Sequence, residues 1–348
     1  MKKKVVLFLF LVLVIVFSAC SRKNSTPSSP GQGSWTPTVY TAGSYLAGSV
    51  YVPCYWQGTV KTDLPPGSGN GYAYSIYVSN GTVYVAGYYN TGTIDVPCYW
   101  TVSGAGVFRT DLPAESGGGD AFSICVSNGT VYTAGYSNNG TYVSACYWTD
   151  SIRTDIPPTP GSAGAICVSG NTVYTAGSYA SSTITSIACY WTDSVKTDLP
   201  GASTSGLAYS ISVSNGIVYT AGEYYNGSNN VPCFWTGQAR TDLPGGASFG
   251  AADSIFATGG EVYVAGYYYN GTIDIPCYWL PSSGGITGVS LSDGTHTAIA
   301  LGIYALNGTV YTAGWYSTGT AAVACCWTGT TRTDLPGNNA QATAIFVQ

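Results

Sequence analysis

Hydrophobic residues in this chain fall into short segments that recur at a nearly constant spacing. The phrase Val-Tyr-x-Ala-Gly occurs seven times, at intervals of 42 to 48 residues. Its tyrosines are Tyr40, Tyr84, Tyr132, Tyr174, Tyr219, Tyr263 and Tyr311. Each copy is followed by an aromatic phrase ending in Trp and, in six of seven cases, by Thr-Asp-Leu-Pro or Thr-Asp-Ile-Pro. A period near 45 residues with several β-type segments per unit predicts the blades of a β-propeller.

Each repeat divides into four segments that are rich in β-branched and aromatic residues and bounded by Gly, Pro or Asn. This pattern predicts four short strands per unit, A to D. Strand A holds a Ser-Ile-x-Val phrase or a variant, B holds Val-Tyr-x-Ala-Gly, C ends in Tyr-Trp, and D carries Lys/Arg-Thr-Asp. Pairs such as Asn80-Gly81 separate A from B, and they are typical of two-residue hairpin turns in which both residues have positive φ.

The two ends of the repeat region complement each other. Strand B around Tyr40 has no strand A before it, and strand A around Ile345 has no strand B after it. Pairing the two closes a ring and removes free sheet edges. We therefore predict an all-β fold, a seven-bladed β-propeller of four-stranded blades over residues 35–348, with a degenerate strand D around Ile286 to Leu291.

Residues 1–20 have the layout of a lipoprotein signal peptide. Lys2 to Lys4 precede an apolar run from Val5 to Phe17, and Cys20 is the predicted lipidation site. The run is too short for the roughly 20 residues that a membrane-spanning helix needs. Residues 21–34 lack large apolar side chains and are predicted to be a flexible tether. Ordinary signal cleavage beside an incidental cysteine is the alternative.

The composition is polar but weakly charged. Only 8% of the residues are charged, and without Lys2 to Lys4 the chain keeps 8 basic against 16 acidic residues. This balance disfavours nucleic acids and anionic membrane surfaces as partners. The basic residues of the repeats each stand two positions before a repeat Asp, on the same strand face, which predicts structural ion pairs. They are Lys61, Arg109, Arg153, Lys196, Arg240 and Arg332.

Eleven cysteines in an exported chain are compatible with disulfides. Seven of them recur at one place per unit, too far apart after rotation about the propeller axis to be bridged. We interpret these as small buried apolar residues. They are assigned as Cys54, Cys98, Cys146, Cys189, Cys233, Cys277 and Cys326. A bridge among Cys125, Cys167, Cys325 and Cys326 stays open.

The phrases Ser-Ile-x-Val-Ser-Asn-Gly-Thr-Val-Tyr-x-Ala-Gly-Tyr and Cys-Tyr-Trp-Thr resemble those of uncharacterised bacterial lipoproteins with tandem propeller repeats. The likeness runs from Cys20 to Gln348. The resemblance implies a propeller architecture, and it implies no particular substrate or catalytic residue for this chain.

Function is expected where the repeats differ. In a propeller the D-to-A and B-to-C loops share one face, around the mouth of the central channel. The residue after the strand B Gly varies, in the order Ser44, Tyr88, Tyr136, Ser178, Glu223, Tyr267 and Trp315. Tyrosines here and loop asparagines suit a glycan or a protein ligand. The alternative is that Tyr simply covers a surface poor in charge.

Catalytic signals are weak. His296, with Asp293 nearby, is a candidate acid or base but has no nucleophile motif beside it. Glu115, Asp120 and Asp253 lie where D-to-A loops are expected and are candidates to pair across the channel. Asp95 and Asp274 stand in matching phrases, which indicates a structural role. No cluster has metal-ligand spacing, so we expect neither a metal nor a cofactor.

We therefore predict a non-enzymatic binding module, lipid-anchored at the bacterial outer membrane, that engages a glycan or protein through its loop face. The alternatives are a carbohydrate-active lyase or hydrolase at the channel mouth and a structural envelope protein. The predicted ligand-binding residues are Tyr88, Tyr136, Glu223, Tyr267, Trp315, Asp253 and His296.

Overall fold

The computed structural model describes residues 36–181, 186–201, 205–245, 249–282, 285–292 and 294–348. All the strands lie in the unit Pro37–Gln348. None of the described residues forms a helix of the length and apolarity that crossing a membrane requires. The predicted signal peptide, the tether and the lipidation site Cys20 lie outside the described residues, as does Asp293.

Twenty-eight strands form seven separate four-stranded antiparallel sheets, which are the seven blades. The innermost strands (A) are β4 (Gly71–Ser79), β8 (Gly119–Ser127), β12 (Gly161–Ser169), β16 (Gly206–Ser214), β20 (Gly250–Thr258), β24 (Ala298–Leu306) and β28 (Gln341–Val347). The second strands (B) are β1 (Val39–Ala47), β5 (Thr82–Asn90), β9 (Thr130–Asn138), β13 (Thr172–Tyr179), β17 (Ile217–Tyr225), β21 (Glu261–Tyr269) and β25 (Thr309–Ser317).

The two outer positions of each blade complete the sheets. The third strands (C) are β2 (Val50–Gln57), β6 (Asp95–Ser103), β10 (Val143–Thr149), β14 (Ile187–Thr192), β18 (Asn230–Thr236), β22 (Asp274–Ser282) and β26 (Ala322–Thr328). The outermost strands (D) are β3 (Val60–Asp63), β7 (Gly106–Asp111), β11 (Ile152–Asp155), β15 (Val195–Asp198), β19 (Ala239–Asp242), β23 (Gly285–Ser290) and β27 (Thr331–Asp334).

The predicted ring closure is confirmed. Blade 1 has the strand order β28-β1-β2-β3, so the last strand of the chain pairs with the first. The pairing is antiparallel and sets Tyr40 opposite Phe346. Blades 2 to 7 follow in chain order from β4 to β27, and the degenerate sixth strand D is present as β23.

The predicted A-to-B hairpin turns are also observed. Both central residues have positive φ in five of these six turns, as at Asn80 (φ 50°) and Gly81 (φ 75°). Asn and Gly adopt this conformation at low cost, which explains why this pair recurs.

The seven repeat tryptophans lie between blades and are at most 1% exposed. Each indole nitrogen donates a hydrogen bond to a backbone carbonyl of the preceding blade. The pairs are Trp56 with Pro336 (2.9 Å), Trp100 with Pro65 (3.1 Å), Trp148 with Pro113 (2.9 Å), Trp191 with Pro157 (2.7 Å), Trp235 with Pro200 (2.8 Å), Trp279 with Pro244 (2.6 Å) and Trp327 with Leu291 (3.0 Å). Blade packing thus combines apolar burial with one satisfied polar contact per interface.

The outer strands carry the predicted ion pairs. All six Lys/Arg–Asp pairs form at 2.8 to 3.0 Å, as in Arg332 with Asp334. In five blades a Tyr from strand B completes a triad that sequence reasoning missed: the Tyr316 hydroxyl donates to Asp334, and the Arg332 guanidinium lies 3.9 Å from the Tyr316 ring centroid. The other four tyrosines are Tyr45, Tyr89, Tyr179 and Tyr224.

Cysteines behave as predicted with one correction. The ten cysteines among the described residues are free thiols. The seventh repeat position, however, is occupied by Cys325 and not by Cys326, because Cys325 is the residue that pairs with Gly314 and Asp334. Cys326 instead takes the place that Tyr55 has in blade 1, one residue before the repeat Trp.

Candidate functional site: the central channel

A cavity of about 690 Å³ runs along the propeller axis, and all seven strands A contribute to its lining. Each strand A has a β-bulge at the same place, between a buried Ala and a small residue. A bulge leaves one residue unpaired and redirects its side chain. The seven bulge residues, all lining the cavity, are Tyr74, Phe122, Gly164, Tyr209, Asp253, Leu301 and Thr343.

The bulge explains the Gly of Val-Tyr-x-Ala-Gly. In blade 3 a Cβ on Gly135 would overlap the carbonyl oxygen of Asp120, which the bulge pushes against strand B. The equivalent overlap occurs in every blade, for instance between Gly222 and the Leu207 carbonyl. Glycine is therefore required for the close approach of the two strands.

The channel narrows toward the A-to-B hairpins. The residues three positions beyond each bulge form a second ring around the channel, and four of them are aromatic residues of successive blades whose rings touch one another. Ring centroids are 4.4 Å apart for Phe256 and Tyr304, 5.1 Å for Tyr304 and Phe346, and 5.0 Å for Phe346 and Tyr77. Smaller residues, Cys125, Cys167 and Ser212, hold the remaining three positions. The cavity is thus a pocket whose mouth faces the D-to-A and B-to-C loops.

The predicted rim positions are structurally equivalent. In each blade the residue after the strand B Gly lies opposite the residue two before the bulge, as Tyr88 does with Tyr72 and Tyr136 with Asp120. Trp315, half buried, lies opposite Ile299.

Aromatic rings form a continuous row across blades 1 to 3. Tyr51 stacks on Tyr72 at 5.0 Å, and Tyr72 stacks on Tyr88 at 5.6 Å. Tyr88 approaches the bulge residue Tyr74 at 5.9 Å. Phe122, the next bulge residue, contacts both Tyr74 (5.2 Å) and Tyr136 (5.6 Å). The row therefore leads from the rim into the cavity.

The first acidic group lies between blades 2 and 3. Asp120 is buried, and the Tyr136 hydroxyl donates a hydrogen bond to its carboxyl. Burial and, to a smaller extent, the charge of Asp95 raise the pKa of Asp120 to about 7, although the Tyr136 hydrogen bond opposes the shift. The Asp120 carboxyl is therefore partly protonated near neutral pH.

The second acidic group lies between blades 5 and 6. Glu223 is 8% exposed, and its Oε1 accepts hydrogen bonds from the Tyr209 hydroxyl (3.1 Å) and the Asn230 amide (3.0 Å). Burial raises the pKa of Asp253 to about 8, with Glu223 as the second cause. Burial also raises the pKa of Glu223, although the Tyr209 hydrogen bond opposes it. The pKa of Tyr267 rises to about 12 through burial and the charges of Asp253 and Glu223, which locates all three side chains in one cluster.

The predicted ligand-binding residues are thus only partly brought together. Asp253 lines the cavity, and Tyr88, Tyr136, Glu223 and Tyr267 surround its lining residues. His296 is exposed and does not line it: its ring contacts Tyr316, whose own ring covers Arg332 on an outer strand.

The three carboxyl groups that were candidates to pair across the channel each have a different neighbour. Glu115 forms an ion pair with Arg153 at 3.3 Å, on the outer side of blade 3. Asp120 interacts with Asp95, and Asp253 interacts with Glu223. Among the described residues no three His, Cys, Asp or Glu side chains are placed to hold a metal ion.

Four of the loop asparagines shape the B-to-C loops themselves. The side-chain oxygens of Asn90, Asn138, Asn226 and Asn270 accept hydrogen bonds from backbone amides two residues later. These are Asx turns, which shape the B-to-C loops. Their side-chain oxygens are therefore used within the loops, and a contact of their amide NH2 groups with a ligand stays a prediction.

Sequence reasoning identified one of the seven bulge residues, Asp253. A signal for the others exists in the phrase Ala-x-Ser-Ile and its variants: Ala recurs in every repeat, as Ala73 and Ala252 do, while the next residue differs in chemistry from blade to blade. A variable residue inside an otherwise repeated phrase marks the cavity lining.

No protein-family model matches this chain, and no curated protein matches it either. Of the likeness to bacterial lipoproteins, the seven-bladed propeller is confirmed by the structure, and the lipoprotein part stays a prediction.

Proposed function

We propose that the protein is a binding module of the bacterial cell envelope, held there by a lipid on Cys20, that takes a glycan into the open end of its channel. The observation that carries the proposal is the bulge ring. Seven nearly identical blades place six different residue types at the seven bulge positions around one pocket, whereas the residues that hold the blades together hardly vary. Variation confined to a cavity is expected of a binding surface.

The tyrosine row favours a glycan. Tyr51, Tyr72 and Tyr88 form a row of aromatic rings with polar hydroxyl tips at the rim of the pocket. Pyranose rings pack their C–H faces on such surfaces, while their hydroxyls pair with carboxyl groups. Asp253 supplies a carboxyl in the lining of the pocket, and Asp120 supplies another beside Tyr136.

Binding to immobilised oligosaccharides tests this proposal directly. We expect Tyr88→Ala and Tyr267→Ala to weaken binding about tenfold each, the scale of one lost aromatic contact. Phe108→Ala, at an exposed position of the outer strand β7, is the matched control and should bind as the wild type does. Failure of all glycans to bind, or equal loss in the control, would reject the proposal; capture of a peptide instead would favour the protein ligand.

The lipid anchor is supported by Lys2 to Lys4, the apolar run Val5 to Phe17 and Cys20. Its test is metabolic labelling with a fatty acid. Wild-type protein should carry the label and sediment with membranes, and Cys20→Ser should do neither.

A carbohydrate-active enzyme is the second candidate, favoured by the Asp253 and Glu223 pair. A carboxyl that keeps its proton near neutral pH, beside a second carboxyl, suits general acid catalysis of glycoside cleavage. Cleavage of the bound glycan, lost in Glu223→Gln while binding persists, would favour this candidate. The open pocket favours either role over a purely structural one.

A further inference from the structure

Charge is segregated within the propeller. Every Lys and Arg of the described residues lies on an outer strand D and forms an ion pair with an Asp two residues later. The pocket and its rim hold Asp120, Glu223 and Asp253, and no basic side chain of the described residues lines them. Within the part of the chain that the structure describes, the pocket therefore carries acidic groups without a compensating cation.

Two of these carboxyls have an atom without a partner. The Oδ2 of Asp253 and the Oδ1 of Asp120 are buried and accept no hydrogen bond. Buried polar atoms in folded proteins are nearly always paired, so each exception requires an explanation. Asp253 is a bulge residue of the cavity ring, and a donor carried by a ligand would satisfy its free oxygen.

Aromatic rings accompany the carboxyls. Tyr209 is a bulge residue next to Asp253 in the ring, and Tyr267 lies in the same cluster. On the other side, Phe122 and Tyr136 stand beside Asp120. Rings and carboxylates that line one pocket are the surroundings in which proteins bind ammonium groups, because the ring face and the carboxylate both attract a cation.

We propose that the glycan carries free amino groups. The ammonium group of an amino sugar binds beside Asp253, in the cluster that Asp253 forms with Tyr209 and Tyr267. The inference rests on the glycan-binding function proposed above and names its substrate class. The tyrosine row distinguishes an amino sugar from a lysine side chain. A lysine side chain would need only a deep pocket for its ammonium group. The row of Tyr51, Tyr72 and Tyr88 instead extends outward from the pocket and suits the successive sugar rings of an oligosaccharide.

Proton release provides a readout that a neutral ligand would not produce. The groups that face Asp253 are Glu223, Tyr209, Tyr267 and the thiol of Cys277. None of them is a cation, so the free carboxyl retains much of its proton at neutral pH. An ammonium displaces that proton on binding, and calorimetry in buffers of different ionisation enthalpy measures the release.

The experiment uses calorimetry at pH 6, where both the amines of the glucosamine probe and the Asp253 carboxyl are protonated, with the intact mature protein. The probes are a β-1,4-linked glucosamine tetramer, its N-acetylated form and a lysine tetrapeptide. We expect the glucosamine tetramer to bind with proton release, and the acetylated tetramer to bind about tenfold more weakly. Asp253→Asn should remove the preference for the free amine. Asp198→Asn makes the same substitution on an outer strand and should keep it. Thermal melting checks that both variants are folded.

Each outcome decides a different point. Equal binding of the two tetramers, or an amine preference that survives Asp253→Asn, overturns the amino-sugar inference and leaves glycan binding intact. If the lysine peptide binds more tightly than the glucosamine tetramer and this binding depends on Asp253, the ammonium group belongs to a protein ligand and the amino-sugar inference is wrong. No binding of either tetramer, with other glycans also inactive, overturns the proposed function itself.

Discussion

The indole nitrogen of Trp56 in blade 1 donates a hydrogen bond of 2.9 Å to the carbonyl oxygen of Pro336, which follows the last strand of blade 7. The two residues are 280 positions apart in the chain. The same bond joins each repeat Trp to the segment that ends strand D of the preceding blade. It explains why the Tyr-Trp and Thr-Asp-Leu-Pro phrases recur together: one blade supplies the donor and its neighbour supplies the acceptor.

Replacing Trp56 by Phe should weaken ring closure. The variant loses part of a fully buried side chain and leaves the Pro336 carbonyl without its partner, at a combined cost of about 2 to 3 kcal/mol. Urea unfolding followed by circular dichroism measures the change. Tyr142→Phe, at an exposed loop position, is the control and should leave the midpoint unchanged. An unaltered midpoint for Trp56→Phe would contradict the role assigned to the bond.

Replacing Gly135 by Ala should destabilise blade 3. The new methyl group meets the Asp120 carbonyl, so strands β8 and β9 must separate, with an expected loss of about 1 to 3 kcal/mol typical of overpacking. Gly104→Ala is the matched control, because a Cβ at Gly104 has no neighbour within 4 Å. Differential scanning calorimetry compares the two. Equal melting temperatures would show that the bulge does not require glycine.

Stability should fall as the pH rises from about 4 to 8. The folded pKa of Asp253 is about 8 and that of Asp120 about 7, against an unfolded value of ~3.9. Between these limits the native state binds more protons than the unfolded state, so each group lowers the free energy of unfolding by up to ~1.4 kcal/mol per pH unit. Urea titrations at several pH values test the slope.

Asp253→Asn provides the control for this pH dependence. The amide has no proton to lose, so the variant should have a shallower slope and exceed the wild type in stability at pH 8. A wild-type stability that is flat over this range, or that rises with pH, would contradict the assignment of a protonated carboxyl in the channel.

Blade 6 lacks the outer-strand triad of Arg or Lys, Asp and Tyr, and restoring it should stabilise the protein. There Gly288 and Ser290 stand at the places of the outer-strand Arg and Asp, and no basic side chain of the described residues covers the Tyr268 ring. Gly288→Arg with Ser290→Asp should rebuild the triad of the other blades and stabilise the protein by about 0.5 to 1 kcal/mol. The single variant Gly288→Arg lacks the carboxylate and should gain less. The gain should shrink in high salt, and melting temperatures at two salt concentrations measure it.

The sequence by itself determined the features that repeat. The period, the alternation within each strand and the turn pairs such as Asn80-Gly81 depend on local geometry, and the unmatched segments around Tyr40 and Ile345 determined how the ring closes. The outer ion pairs were equally predictable, because residues two apart on a strand share a face.

Only the tertiary structure decided the site. A bulge arises from how two strands fit against each other, so nothing in the local pattern of Ala-x-Ser-Ile states that its second residue turns into the channel. Asp253 and Glu223 belong to different blades, and the effect of Glu223 on the pKa of Asp253 depends on the distance and burial that packing creates. Their separation from His296 follows from the same packing, because neighbours across blades are set by the rotation about the axis and not by spacing along the chain.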